Sequence, residues 1–245
     1  MTEPFPLALD ESVRLATQVV AQRFSCPVAA WLGGSVVRGT ATALSDLDIT
    51  VLLDGPPAPM RESLRVDGVP VELFVHTESS LAFYRAADQD RRQPTMQRLV
   101  CESVVLIDRD GSGERLQRDC LHEIAAGPKP LSSSERDHQR YGLTDLIDDL
   151  EGAQYNAYLA FYVYEKATRF LLAHDRAWQG TGKGLEAAVA AWAKTSPDPW
   201  TRWREDWQVA WDGADQSAVV RLARRALDHC GGSLWEGHRV AGMTG

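Results

Sequence analysis

Three carboxylates stand out in the first third of this 245-residue chain: Asp46 and Asp48, two apart, and Glu72. In SDLDITVLLD the alternation of a β-strand sends the side chains of Asp46 and Asp48 to one face. Glu72 lies in VPVELFVH, a second alternating strand. Its neighbours Val71 and Leu73 point the opposite way, so Glu72 shares a face with Pro70 and Phe74. Three carboxylates on one patch repel one another and raise each other's pKa unless a cation compensates. A hard divalent ion does so. Magnesium takes oxygen ligands, usually one or two carboxylates with substrate phosphates and water, so the arrangement suits a nucleoside triphosphate. Two such ions about 4 Å apart would activate an attacking oxygen and stabilise a departing pyrophosphate.

The elements that must position these groups can be read on either side of them. A helix begins after Pro6, with Leu7, Val13, Ala16, Val19, Val20 and Phe24 at helical spacing and Asp10 as its cap. After Pro27, PVAAWL reads as a short buried strand that delivers the chain to Gly33, Gly34 and Ser35. The following SVVRGTATA allows one or two helical turns. Gly34 carries no Cβ to keep a phosphate away, and free N–H groups after it face the same anion. Asp67-Gly68 is a hairpin turn signal leading into the Glu72 strand. A last strand at 104–107 and a helix over 114–124 complete this part. The stretch AAGPKPLSSSE then separates strand-containing sequence from sequence that is almost wholly helical. The boundaries are placed at 1–126 for the first domain, 127–134 for a linker and 135–245 for a helical bundle, whose first helix Ser133 or Ser134 would cap.

The string GGSVVRGTATALSDLDITVLL, with Glu72 on a later strand, resembles the signature of the DNA polymerase β-like nucleotidyltransferase superfamily: Gly-Ser, a spacer, Asp-x-Asp, then a third acid. With a helical second part, the chain is most similar to the antibiotic nucleotidyltransferases for aminoglycosides and lincosamides and their bacterial relatives. The resemblance is specific over 31–75 and architectural beyond Ala126. It implies an α+β fold with a mixed sheet flanked by helices, use of Mg2+ and ATP, and transfer of AMP to a hydroxyl. By it, Gly34 and Ser35 would bind the triphosphate and Asp46, Asp48 and Glu72 would bind metal, with the nucleotide and a small hydroxylated acceptor held in the cleft between the domains.

All four lysines lie beyond Ala126, so a phosphate in the first part must meet arginine, backbone amides or metal. Arg38, three residues after Ser35, is either that cation or an exposed helix arginine. For the proton of the acceptor, Glu165 interrupts the aromatic run AFYVYEKATRFLL and is either a general base or one half of an ion pair with Lys166 or Arg169. Lys183 sits in a Gly-rich stretch, GTGKG, from which it could reach a phosphate. That stretch is no P-loop, because Ala177 and Gly184 stand where the motif needs glycine and a hydroxyl. His76 could approach the acids or belong to the core. Arg169 to His174 fits the short arginine–histidine pattern of HEPN ribonucleases, a pattern that chance supplies about once in such a chain. Trp200, Trp203, Trp207 and Trp211 follow helical spacing and read as core.

The formal net charge is -8, and both parts are acidic, 12 arginines against 18 acids through residue 126 and 14 basic residues against 16 acids after it. Such a surface does not attract a polyanion, so nucleic acid is not the expected partner. The four cysteines are widely spaced and read as reduced thiols. No segment has the pattern of a signal peptide or a membrane span, and a soluble, cytoplasmic protein is expected. Two rival readings remain: a protein AMP transferase of the antitoxin type, against which the long helical part argues, and a nucleotide-binding module without catalysis.

Overall fold

The computed structural model describes residues 5–152, 154, 156–196 and 200–239. The chain divides after Gly127 into two compact units, each around its own apolar core.

The first unit opens with helix α1 (Leu9–Arg23), which buries Ala16, Val19 and Val20. Its cap differs from the sequence expectation. Ala8 holds the capping position, Glu11 reaches back to accept the Ala8 N–H at 3.0 Å, and Asp10 lies inside the first turn, where a negative charge suits the positive end of the helix. The strand β1 (Ala29–Leu32), buried along its whole length, leads into a four-residue helix α2 (Gly34–Val37). Then follow β2 (Leu47–Leu52), β3 (Met60–Val66), β4 (Val69–His76) and, later, β5 (Val104–Asp108). They form one five-stranded sheet in the order β3-β4-β2-β1-β5. Only β2 and β4 run parallel among these neighbours, so the sheet is mixed.

The β3–β4 connection is a two-residue turn in which Asp67 and Gly68 both have positive φ, 51° and 82°, the conformation whose twist matches the strands it joins. On one face of the sheet Leu32, Leu47, Ile49, Val51, Val71, Leu73 and Val75 pack with α1. On the other, Trp31 and Leu52 pack with three further helices: α3 (Glu78–Arg91), α4 (Thr95–Cys101) and α5 (Ser112–Ala126). The sequence pattern left α3 and α4 unassigned. Thr77 starts α3 by accepting the Ser80 N–H at 3.2 Å, and the buried Asp88 accepts the Met96 N–H at 2.7 Å, joining the two helices.

The second unit is helical among its described residues, with α6 (Ser133–Gly152), α7 (Ala157–His174), α8 (Lys183–Ala193), a 3-10 turn at Trp200–Arg202, α9 (Trp203–Asp212) and α10 (Gln216–His229). Ser132, one residue before the expected position, caps α6. Its hydroxyl accepts the Glu135 N–H at 3.2 Å while the Glu135 carboxylate accepts the Ser132 N–H at 2.8 Å. Trp200, Trp203 and Trp207 are core residues, and Trp211, at the end of that stripe, is 39% exposed. The cysteines are free thiols. Among the described residues no helix is long and apolar enough to cross a membrane.

Candidate active site

The site is built where β1 ends and β2 and β4 begin. Gly33 donates its N–H to the carbonyl of Asp48 at 2.9 Å, which fastens the turn after β1 to the start of β2. Gly34 follows with φ +73°, a conformation that costs an L side chain energy. A Cβ there would lie 1.8 Å from Oδ2 of Asp48. Close approach at Gly34 is therefore made first by this chain's own carboxylate, a reason for glycine that differs from the phosphate access expected from sequence.

Parallel pairing of β2 with β4 sets Asp48 opposite Glu72, whereas Asp46, expected on the same strand, lies in the turn just before β2 begins at Leu47. Asp46, Asp48 and Glu72 each offer a carboxylate oxygen within 4.8 Å of the others. Burial, with the charges of Asp46 and Glu72 behind it, raises the Asp48 carboxyl to about 6, although Arg38 and Arg61 pull the other way. A cluster of oxygen donors that keeps one member reluctant to ionise fits a hard divalent cation, and these three side chains would hold it.

The residues 13–93 match the nucleotidyltransferase domain family. The first unit has a nucleotidyltransferase fold. The match covers about a third of the chain, contains Gly34, Asp46, Asp48 and Glu72, and supports nucleotidyl transfer as a general activity with a nucleotide as substrate. Among solved structures, a nucleotidyltransferase-like protein from Exiguobacterium sibiricum 255-15 is similar to the chain at 13% identity, over 91% of this chain and 74% of that one, with a TM-score of 0.46. No curated protein matches.

Within the first unit, two residues at the site escaped the sequence reading. Arg61 on β3 donates to Oε1 of Glu72 from Nε at 2.7 Å and from Nη2 at 2.6 Å, and Ser63 donates to the same oxygen at 3.3 Å. The guanidinium also lies over the Phe74 ring, 5.1 Å from its centroid. A signal for both existed: a two-residue turn at 67–68 puts Ser63 opposite Glu72 and Arg61 on the same face, opposite Phe74. Arg38 ends α2 and is exposed, with Glu102 at 3.7 Å as an ion-pair partner. Ser35 is half-buried in α2. Ser45 accepts the Thr42 N–H at 2.9 Å and so serves the turn before the acids.

His76 stands at the far end of β4, four residues from Glu72, and belongs to the core. It is buried, within 3.3 Å of Ser80 Oγ and edge-on to Tyr84, and burial lowers its pKa. In the second unit, Glu165 is paired with Arg169 on the next turn of α7, with Nε donating to Oε1 at 2.9 Å. Arg169 also donates to Oε1 of Gln179 and to the Gly180 carbonyl, so its guanidinium is committed to structure rather than to a ribonuclease pair with His174. Lys183 is exposed and is the first residue of α8, instead of lying in a loop.

Proposed function

We propose that this chain transfers AMP from magnesium-bound ATP to a hydroxyl group of a small molecule. The observation that supports this reading is the register pair Asp48–Glu72, which, with Asp46, gathers three carboxylates at one place in a domain matched to nucleotidyltransferases. In the reaction the acceptor oxygen bonds to the α-phosphorus, the bond from that phosphorus to the bridging oxygen breaks, and pyrophosphate leaves, while the hydroxyl proton passes to a basic group or to water. When bound, magnesium would polarise the phosphate oxygens and offset charge on the departing pyrophosphate.

The protein's own part is to hold and orient. Asp46, Asp48 and Glu72 bind the cation, Gly34 and Ser35 turn the backbone beside the triphosphate, and Arg38 meets the outer phosphates. The acidic balance of the chain suits a cationic acceptor of aminoglycoside-like chemistry.

The test is incubation of the purified chain with ATP, magnesium and a panel of cationic polyhydroxylated compounds, reading pyrophosphate release and an acceptor mass gain of one AMP. Asp48→Asn should abolish both. One observation favours a second reading, a nucleotide-binding module without turnover: Oε1 of Glu72 is already held by Arg61. ATP binding that survives the double change Asp46→Ala and Asp48→Ala, with no turnover in the parent, would decide for that module.

A further inference from the structure

We propose that the second unit carries a binding site for a divalent transition-metal ion, formed by His174, Asp175 and His229. His174 is the last residue of α7, Asp175 is its C-cap, and His229 is the last residue of α10. Each offers a ligand atom within 4.8 Å of the others. His229 Nε2 lies 3.2 Å from Oδ1 of Asp175, and the His174 and His229 rings stand edge to face with centroids 5.1 Å apart.

The donor set decides the class of ion. Two imidazoles with one carboxylate suit zinc, cobalt and their neighbours, whereas magnesium takes oxygen donors and belongs with Asp46, Asp48 and Glu72. The surroundings support a cation in two further ways. The C-terminal ends of two long helices converge on the spot, and both dipoles direct partial negative charge there. The second oxygen of Asp175 accepts the indole N–H of Trp192 at 2.9 Å, while Trp200 packs against the His229 ring with centroids 5.0 Å apart. Such outer contacts hold ligands in place before an ion arrives. The charge of Arg136 reaches His174 and limits the affinity.

Geometry asks for a small closure. Tetrahedral zinc with bonds of about 2.1 Å sets its donors about 3.4 Å apart. The His229–Asp175 pair is already at that spacing, and rotation of the His174 ring supplies the rest. All three side chains are partly exposed, so water completes the coordination.

Cobalt(II) chloride is the probe, added to the full chain in saturating magnesium so that the acidic cluster is occupied. One equivalent should bind and develop the visible bands of low-coordinate cobalt. Zinc should erase them. His174→Ala and His229→Ala should each weaken binding more than tenfold, Trp192→Phe should weaken it about tenfold, and the double change Asp46→Asn and Asp48→Asn should leave it unchanged. In the unaltered protein, two paramagnetically shifted imidazole N–H resonances should appear, a readout that needs no variant to fold. The proposal is overturned if cobalt gives no such bands, if both histidine variants bind as the parent does, if the two shifted resonances are missing, or if the bands vanish with the aspartate changes.

Discussion

Under the proposed function Asp48 is the central residue, and a carboxyl held near pH 6 by burial and like charge is more stable protonated than ionised. A group that titrates higher in the folded protein than in the unfolded chain favours folding while it carries its proton. Its contribution is complete below the ordinary value of 3.8 and is lost as pH rises through about 6. In a magnesium-free buffer, Asp48→Asn should therefore melt above the parent at pH 7.5, by on the order of 2–3 kcal/mol in stability, and this advantage should shrink toward pH 4. A variant melting well below the parent at pH 7.5 would refute it. If Glu72 holds magnesium as proposed, Arg61 competes with that ion, so Arg61→Ala should tighten magnesium binding, measured calorimetrically, by about threefold, a modest gain because the guanidinium is largely exposed. Asp46 does meet Asp48, as the spacing of two suggested, but from the turn before β2 rather than by strand alternation. Arg61 was legible only to a reader who carried the turn at Asp67-Gly68 back along β3 by strand arithmetic.

At the scale of elements, what the sequence withheld was pairing between strands that no short turn connects. β2 and β4 are parallel, with β3 between them in the chain, and nothing local to either strand declares that Asp48 will face Glu72. The antiparallel hairpin, by contrast, announces its register through its two central residues. Helices α3 and α4 were missed for another reason. The buried face of α3 is sparse, Leu81 and the polar Asp88, so hydrophobic periodicity is weak and only the cap at Thr77 marks its start, while α4 buries Met96, Gln97, Leu99 and Val100 but at seven residues is too short to show a helical period. Caps also carry the prediction that belongs here. Ser132→Ala removes the hydroxyl that holds the Glu135 N–H and should cost about 1 kcal/mol in denaturant unfolding of the second unit. Ser134→Ala, at a position the sequence also offered as the cap, should cost much less.

At the scale of the whole molecule, the division after Gly127 means that two cores are stabilised separately. Seven of the eight tryptophans belong to the second unit, and the first has Trp31 alone. Denaturant unfolding should accordingly show one step dominated by indole fluorescence and another seen mainly in backbone circular dichroism. Magnesium should raise only the latter. A single coincident transition, unmoved by magnesium, would contradict this. The same division sorts reactive groups. Every lysine lies past Gly127, so a dye selective for ε-amines will decorate one unit while no side chain in the other can take it. Such a label leaves the carboxylate cluster chemically untouched, and it offers a ready optical marker for the helical half.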